Sequence, residues 1–359
     1  MISALLAQAQ QLPFAKPVID FHALAPEIVL VSLTAVVLLI DVIKLEDARR
    51  LIPGLTGLSM LAAIVPVVSL ALDGADRSLF GGAYVVDNLA LVLKAMFLLA
   101  AYIVTLLSSN YLAEGDFWES EFYVMLLSSV LGMLIMCSAR DLVSIFVALE
   151  LLSIPAYLMA SWEKRNLRSN EAGLKYYLMG VFASAVMLYG MSLLYGTTKT
   201  TVLAGIADAI HRDGVNGATA LAIVFILIGF AFKVSAVPFH QWAPDTYEGA
   251  PTPITAFLSV ASKAAGFVAL VTLVYVGFPF GIDVWKPLFW VLAVITMTVG
   301  NVLALKQTNI VRMLAYSSVS QGGFILMPLF VAWKHTPNGL VVNRDTLTAV
   351  VTYLLVYAA

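Results

Sequence analysis

The sequence contains few charged residues for a chain of 359 residues. Only 12% of its residues are Asp, Glu, Lys or Arg, while 61% are hydrophobic. Soluble domains usually have about twice that charged fraction. So few charges cannot cover a soluble body of this size, which excludes a soluble enzyme and a disordered chain. The net charge of −2 excludes the basic surface that nucleic-acid binding requires.

Residues that bind metals or form disulfides are also scarce. The single cysteine, Cys137, excludes a disulfide framework, a cysteine zinc site and a cysteine-ligated iron–sulfur cluster held within the chain. The four histidines lie far apart and show no ligand spacing; they are His22, His211, His240 and His335. We therefore expect no metal or cofactor site in this chain.

Long apolar runs dominate the sequence. Most have the roughly 17–25 residues that cross a hydrocarbon core about 30 Å thick. They lie at about 27–43, 54–72, 85–108, 120–137, 142–161, 172–195, 219–239, 254–278, 285–305 and 311–332. An eleventh run begins near Leu347 and reaches Ala359, which is too short to cross a bilayer, so we interpret it as a truncated span. The pattern predicts an all-α polytopic membrane protein with about ten complete spans.

The connections between the spans are short and polar. Met1 to Gln11 lacks the positive and apolar regions of a cleaved signal, and the longest connection, Thr197 to Gly217, has room for a surface helix. Lys and Arg favour cytoplasmic loops, so two positive clusters predict an outside N-terminus. The clusters are Lys44, Arg49 and Arg50, and Lys164, Arg165 and Arg168. With Lys16 counted outside, the sixteen Lys and Arg outside the spans divide equally between the two sides.

Three charged residues lie deep inside predicted spans. Glu150 is about eight residues into the fifth span, Lys233 about fourteen into the seventh and Lys263 about nine into the eighth. An ionised side chain at the bilayer centre costs about 2.5–3.5 kcal/mol on insertion scales. A structural ion pair between Glu150 and one lysine explains two of the three charged residues, but it leaves the other lysine without an acidic partner. Two lysines with one carboxylate can instead hold a mobile proton, because burial disfavours a charged lysine and a carboxylate favours it.

Two prolines follow buried charges at the same spacing, Pro155 five residues after Glu150 and Pro238 five residues after Lys233. A proline inside a helix frees the carbonyl four residues before it, and here that carbonyl is next to the charge. Interrupted spans at mid-depth recur in ion-handling transporters. The spacing therefore favours a role in ion movement over a purely structural kink.

Other polar residues allow two interpretations. We expect Lys94 to extend its amine to the membrane interface, whereas Lys175 either does the same or acts as a functional charge. His240 directly follows Pro238 and Phe239, and it either relays protons or caps a broken helix. Trp242 lies near the end of a span, as interfacial aromatic residues do.

Several motifs resemble one family of membrane subunits. The longest is AFKVSAVPFHQWAPDTYEGAPTP at residues 231–253. Shorter ones are LAPE at 24–27, ALELLS at 148–153, EAGLKYY at 171–177, SKAAGF at 262–267, KQTN at 306–309 and LAYSS at 314–318. Together they resemble the antiporter-like subunits of respiratory complex I, and most of all the subunit N family of NADH-quinone oxidoreductases, called subunit 2 in mitochondria. The resemblance covers essentially the whole chain.

The resemblance implies an architecture of fourteen helices with two inverted five-helix repeats. Residues 1–119 would hold helices 1–3, residues 120–278 the first repeat (helices 4–8, with helix 7 broken) and residues 279–359 the start of the second repeat (helices 9–11, incomplete). An internal match is consistent with this division. Aligning Asp141 with Asn309 places Glu150 against Ser318, at an offset of 168 residues.

The resemblance also implies roles for single residues. Glu150 and Lys233 would form the charged pair of the first half-channel, with Lys175 as a modulating charge nearby. Lys263 would pass protons along a central polar axis, and His240 would take part in proton transfer. The exit lysine of the family would lie beyond residue 359. In addition, Gln321 stands where relatives usually carry a histidine.

These features predict a proton-translocating membrane-arm subunit of a proton-pumping NADH:quinone oxidoreductase. The resemblance implies that the chain itself performs no redox chemistry and binds no cofactor, and that FMN, iron–sulfur clusters, NADH and quinone bind to other subunits. It also implies other membrane subunits of complex I as partners and the bacterial inner membrane as the location. Two alternatives remain open, an Mrp-type cation/proton antiporter subunit and a non-conducting structural subunit.

Overall fold

Almost every apolar run of the chain forms a helix, because a backbone in hydrocarbon must pair its own N–H and C=O groups. The computed structural model describes residues 19–43, 50–74, 76–114, 120–337 and 339–358. The segment Met1–Gln11, together with Lys16, Lys44, Arg49 and Ala359, lies outside the described residues. The predictions that concern them therefore stay predictions.

The helices follow the order of the predicted spans. They are α1 (Ala25–Val42), α2 (Ile52–Asp73), α3 (Asn88–Glu114), α4 (Ser120–Ser138), α5 (Leu142–Ala160), α6 (Leu167–Thr198), α7 (Leu203–Asp213), α8 (Gly217–Lys233), α9 (Trp242–Gly249), α10 (Thr252–Gly277), α11 (Ile282–Ala304), α12 (Ile310–Leu326) and α13 (Arg344–Ala358). Helix α10 begins with the α-helical segment Thr252–Phe257 and continues through a π-helical turn at Leu258–Ser262. The α-helical segment Lys263–Thr272 follows, and a second π-helical turn at Leu273–Gly277 ends the helix. Two antiparallel hairpins complete the fold, β1 (Arg77–Leu79) with β2 (Tyr84–Val86) and β3 (Trp333–Thr336) with β4 (Gly339–Val342).

The predicted fold class, an all-α polytopic membrane protein, is confirmed. Among the described residues, nine helices are long and apolar enough to cross a membrane by length and composition. The predicted seventh span is the exception. It forms α8, which has 17 residues and ends before the predicted span does, whereas the predicted eleventh span forms α13 from Arg344 onward.

The break in helix 7 that the resemblance implied is present, and it lies at the C-terminal end of the span predicted over 219–239. Helix α8 ends at Lys233, and Ser235 has a φ of 58°, so Pro238 lies outside the helix that it was expected to kink. A proline disfavours helical geometry at the residue before it, and the Val237 N–H donates to the Thr296 hydroxyl at 2.9 Å instead of to a helical carbonyl. The chain becomes helical again at Trp242, at the start of α9.

The connection Thr197 to Gly217 contains the predicted surface helix, α7. Its apolar residues are buried and its last turn is polar. A β-bridge between Asp141 and Val202 and a second one between Tyr84 and Ala139 tie α7 and the β1–β2 hairpin to the α4–α5 connection. These three segments therefore lie on one face of the molecule.

Helix α10 forms the centre of the described bundle. In its most apolar stretch, 89% of the residues are buried, and it contacts α3, α5, α8 and the hairpin side of α13. A central helix has neighbours on all sides, so polar side chains that it carries must find partners inside the protein. Lys263 is such a side chain.

Candidate functional site

Glu150 lies in the middle of α5. Asp141 caps the first turn of this helix, with its carboxylate accepting hydrogen bonds from two backbone N–H groups at 2.9 and 3.1 Å. Pro155 lies within α5, as predicted. Glu150 Oε1 accepts a hydrogen bond from the Ser184 hydroxyl of α6 at 2.5 Å. The carboxylate is thus half-buried and attached to α6.

Lys233 is the last residue of α8, and its side chain is buried. Its Nζ donates to the Ser153 hydroxyl of α5 at 2.8 Å and lies 3.5 Å from the Tyr176 hydroxyl of α6. The Tyr176 ring stacks on Trp242 with centroids 4.3 Å apart, and the Trp242 indole donates to the Phe232 carbonyl at 3.1 Å. The helix end that carries Lys233 is therefore held by α5, α6 and α9.

Glu150 and Lys233 form no direct salt bridge in the structure, and the charged pair that the resemblance implied stays a prediction. The hydrogen bonds of both groups go to hydroxyls, those of Ser184 and Ser153. Ser153 lies three residues after Glu150, hence on the same face of α5, and this spacing could have indicated it from the sequence. The arrangement places a hydroxyl, which both donates and accepts a proton, beside the buried amine.

Lys263 is the second buried lysine, and it follows the first π-helical turn of α10. Its Nζ donates to the backbone carbonyl of Ser318 at 2.8 Å and to the Ser318 hydroxyl at 2.6 Å. The Tyr357 hydroxyl of α13 donates to the same serine hydroxyl at 2.9 Å. No acidic side chain of the described residues forms an ion pair with Lys263, as the imbalance of deep charges predicted.

Gly266 brings the two lysine sites together. It lies three residues after Lys263 on α10, and a Cβ built on it would be 2.9 Å from Lys233 Cγ and 3.0 Å from Val234 Cγ1. Only a residue without a side chain fits this approach without displacement. The backbone of α10 therefore packs directly against the interrupted end of α8.

The interruption between α8 and α9 contains buried polar atoms with no hydrogen-bond partner among the described residues. They are the Ser235 hydroxyl and His240 Nδ1, and Tyr247 on α9 adds its hydroxyl. Buried polar groups of this kind usually bind ordered water. The first turn of α9 has no side-chain cap from its N-cap residue Gln241, and the role of His240 stays a prediction.

Lys175 lies on α6 away from Glu150, with 43% of its side chain exposed. Its Nζ forms ion pairs with Glu171 at 2.6 Å and with Asp245 of α9 at 2.7 Å. A cavity of about 260 Å³ opens beside these groups and beside Arg312. Lys175 therefore belongs to a surface cluster, and its partners connect it to α9 rather than to the acid of α5.

The expectation that Lys94 reaches the membrane interface is wrong. Its side chain is fully buried, and Nζ forms an ion pair with Glu27 at 2.7 Å and a hydrogen bond with the Tyr84 hydroxyl at 2.9 Å. Tyr84 donates to the same carboxylate at 2.7 Å. Burial, reinforced by Glu27, raises the pKa of the Tyr84 phenol well above its usual value. Sequence reasoning missed this cluster because Glu27 lies in the first turn of α1.

The offset of 168 residues coincides with equivalent helix starts. Helix α5 begins at residue 142 and α12 at residue 310, and each follows an N-cap side chain, Asp141 and Asn309 respectively. Ser318, which aligns with Glu150, binds Lys263. The division into repeats remains a prediction, and these positions agree with it.

The described residues contain no group of three or more His, Cys, Asp or Glu side chains that could hold a metal ion. Gln321, at the position where relatives of the complex I family usually carry histidine, accepts a hydrogen bond from the Tyr353 hydroxyl of α13. The site brings together amines, hydroxyls, one carboxylate and one imidazole, which are groups that can bind and release protons.

Two curated relatives cover most of this chain. It is 42% identical over 311 residues to NADH-quinone oxidoreductase subunit N of Trichlorobacter lovleyi, a match that covers 86% of this chain and 63% of that protein. It is 42% identical over 334 residues to NAD(P)H-quinone oxidoreductase subunit 2 of Thermosynechococcus vestitus, covering 92% of this chain and 62% of that protein. The chain thus spans less than two thirds of the length of these relatives.

Solved structures share the fold. A chain of respiratory complex I from Thermus thermophilus superposes with a TM-score of 0.72 at 30% identity, covering 93% of this chain and 68% of that one. A chain of the Mrp complex from a Dietzia species gives 0.78 at 21% identity, covering 95% and 62%, which shows the fold alone. The family model described as "NADH:quinone oxidoreductase/Mrp antiporter, TM" matches residues 139–358. The chain therefore belongs to the transmembrane subunit family shared by NADH:quinone oxidoreductases and Mrp antiporters.

Proposed function

We propose that this chain translocates protons as a membrane-arm subunit of an NADH-quinone oxidoreductase. The observation that carries the proposal is the pair of fully buried lysines, Lys233 and Lys263, on either side of the close approach at Gly266. Both amines donate hydrogen bonds to serine hydroxyls. Only the partner of Lys233, Ser153, has a carboxylate, that of Glu150, about one helical turn away on the same helix. Amines in this environment are not fixed in the charged form, so each can bind and release a proton.

The residues suggest an order of events. The Glu150 carboxylate favours a proton on Lys233 across the Ser153 hydroxyl. When a charge on a neighbouring subunit draws Glu150 away, Lys233 releases its proton toward Lys263. Water bound at the unpaired atoms of Ser235 and His240 would carry this proton past Gly266. His240 would take part in this proton transfer. Lys175 would influence the transfer only indirectly, through its contacts on α6 and α9.

The driving reaction lies outside this chain in the proposal. Quinone reduction elsewhere in the complex would supply the charge that moves Glu150. FMN, iron–sulfur clusters, NADH and the quinone headgroup would bind to other subunits. The chain would sit among other membrane subunits in a bacterial inner membrane, because one bacterial relative at 42% identity is named as a subunit of an NADH-quinone oxidoreductase and the other as a subunit of an NAD(P)H-quinone oxidoreductase.

The decisive experiment replaces Lys233→Ala and Glu150→Gln separately in the assembled enzyme. NADH oxidation and acidification are measured together in inverted membrane vesicles. We expect both variants to assemble and to pump at least about tenfold fewer protons per NADH oxidised, as loss of a proton carrier requires. Arg212→Gln, in an exposed ion pair of α7, is the matched control and should pump normally. Normal pumping by either site variant would contradict the proposal.

The two alternatives predict different results in the same vesicles. An Mrp-type antiporter would exchange sodium for protons without NADH, which a sodium pulse under an imposed pH gradient detects. A non-conducting structural subunit would tolerate Lys263→Met with unchanged protons per NADH and lose only assembled complex. The fold is shared by all three classes, so the flux measurement decides among them.

A further inference from the structure

Asp245 of α9 joins two helices through one carboxylate. Its Oδ2 accepts from Lys175 Nζ of α6 at 2.7 Å, and its Oδ1 accepts from Arg312 Nη1 of α12 at 2.7 Å. The first helix belongs to the predicted first repeat and the second helix to the predicted second repeat. Asp245 is therefore the shared partner of two cations that come from different halves of the chain.

Other contacts hold α9 in the same position. Glu248 lies three residues after Asp245. Its carboxylate forms an ion pair with Arg312 at 2.8 Å and accepts a hydrogen bond from the Asn309 side-chain amide at 2.9 Å. On the other side, a Cβ on Gly249 would lie 2.5 Å from the Arg168 carbonyl of α6. Because α9 has only eight residues, its placement depends on these contacts with α6 and α12.

One arm of the cluster leads to Lys233. Lys175, which binds Asp245, directly precedes Tyr176, whose hydroxyl lies 3.5 Å from Lys233 Nζ. The Tyr176 ring stacks on Trp242, the first residue of α9. A shift of α9 relative to α6 would therefore move the aromatic pair that borders the first lysine.

The other arm leads to Lys263. Arg312 and Ser318 lie on the same helix, six residues and thus about 9 Å apart along its axis, and Ser318 binds Lys263 Nζ through both its carbonyl and its hydroxyl. A shift of α12 relative to α9 would change that contact. Rigid helices can carry such a displacement between sites when both ends respond to it.

We propose that Asp245 is a positioning residue that sets the two lysine sites relative to each other. The inference rests on the proposed function, since it assigns to Asp245 the alignment of a proton path between Lys233 and Lys263. The ion pairs of Asp245 are partly exposed, with 43% of the Lys175 side chain and 29% of the Asp245 side chain accessible. Such pairs contribute little to stability, so their loss should alter alignment more than folding.

The test is Asp245→Asn in the complete enzyme, assayed in inverted vesicles for assembled complex, NADH oxidation and protons pumped per NADH. The asparagine side chain has nearly the same volume as that of Asp245 but lacks the negative charge that both Lys175 and Arg312 bind. We expect a normal amount of complex and at least a twofold fall in protons per NADH. Asp245→Glu, which retains the carboxylate, should recover most of the ratio, and Lys175→Gln or Arg312→Gln should each produce a smaller fall than Asp245→Asn.

The control is Asp213→Asn, which removes the carboxylate of an exposed ion pair with Arg212 on α7 and should leave the ratio unchanged. An Asp245→Asn enzyme that pumps at the normal ratio, while Lys233→Ala does not pump, would overturn this inference and spare the proposed function. Loss of assembled complex that Asp245→Glu does not restore would also overturn it, because that result indicates a purely structural residue. Normal pumping by Lys233→Ala would overturn both proposals.

Discussion

Serine hydroxyls contact the buried amines of Lys233 and Lys263, and this sets the chemistry at the scale of single residues. Ser153 binds Lys233 and Ser318 binds Lys263, so each amine donates a hydrogen bond to a neutral hydroxyl. The lysines could be predicted because a charge stands out in an apolar run. The spacing from Glu150 could have indicated Ser153. Ser318 could not be predicted, because serine is common in membrane helices, where it also bonds backbone carbonyls, as Ser129 does with Leu152.

Ser153→Ala should weaken proton transfer without unfolding the bundle. It removes the closest partner of Lys233 Nζ and leaves the Tyr176 hydroxyl at 3.5 Å. Hydrogen bonds to charged groups contribute about 1.5–3 kcal/mol, and each 1.4 kcal/mol changes a rate about tenfold. We expect the maximal pumping rate in inverted vesicles to fall at least about threefold. Ser129→Ala removes a hydroxyl of α4 that bonds the Leu152 carbonyl of α5, and it should leave that rate within about a factor of two. Equal losses in both variants would contradict a specific role for Ser153.

The ion pair of Lys94 and Glu27 is a different kind of buried charge. The two groups touch directly and share Tyr84, whereas Glu150 and Lys233 each form a hydrogen bond with a serine hydroxyl. A direct pair with a third hydrogen-bonding group holds its charges in place, because removal of either partner leaves the other unpaired in a low-dielectric site. Its location at the start of α1 and in the first turns of α3 indicates that it fixes the N-terminal helices to the β1–β2 hairpin.

Lys94→Met should therefore destabilise the protein more than the double variant does. Breaking a buried pair from one side typically costs about 3–5 kcal/mol, while replacing both partners by apolar or neutral groups is often close to neutral. We expect the thermal midpoint of the purified complex to fall in Lys94→Met and to recover in part in Lys94→Met with Glu27→Gln. A double variant less stable than either single variant would show that the pair does not interact in this way.

The interrupted seventh span shows what sequence can and cannot predict at the scale of elements. Hydropathy placed every long helix, and proline and buried charge correctly marked position 233–238 as unusual. The resemblance also implied that this helix is broken, but hydropathy extended the span to residue 239 and did not indicate where the helix ends. The end at Lys233 depends on contacts distant in sequence, such as the Val237 N–H with Thr296 and the Trp242 indole with the Phe232 carbonyl.

Trp242 illustrates the same limit. It was expected at the membrane interface because of its position near a span end, but its side chain is buried against Tyr176. Once α8 ends early, the residues after it fold back into the protein interior, and an aromatic side chain there packs instead of facing lipid. The interfacial prediction was wrong because it used only the position of Trp242 near a span end.

Gly266→Ala should disturb the packing of α10 against α8. The new methyl group would lie 2.9 Å from Lys233 Cγ, and overpacking of this kind costs about 1–3 kcal/mol. We expect a lower thermal midpoint and, since Lys233 must move, fewer protons pumped per NADH. Gly196→Ala on α6 is the matched control, because no atom lies within 4 Å of a Cβ there, and it should have no effect on pumping. Normal stability and pumping in Gly266→Ala would show that Lys233 tolerates displacement.

At the scale of the whole molecule, the extramembrane segments lie on distinct faces. The β1–β2 hairpin, the α4–α5 connection and α7 share one face, joined by the hydrogen bond from the Arg140 N–H to the Ala83 carbonyl at 2.8 Å and from the Leu203 N–H to the Arg140 carbonyl at 2.9 Å. The α5–α6 connection lies at the other end of α5 and carries Lys164 and Arg165, and Arg168 follows in the first turn of α6. The total count of positive charges did not indicate which face is cytoplasmic, whereas the positive cluster near the α5–α6 connection does.

Labelling of single introduced cysteines should establish the orientation. Enrichment of Lys and Arg in cytoplasmic loops places Arg165 in the cytoplasm and Arg212 of α7 outside. Cys137 is buried, so within this chain it should not react. With a membrane-impermeant maleimide, Arg212→Cys should be labelled in right-side-out vesicles and Arg165→Cys only in inverted ones. The reverse pattern would place the N-terminus in the cytoplasm, and labelling of both cysteines from the same side would contradict their placement on opposite faces.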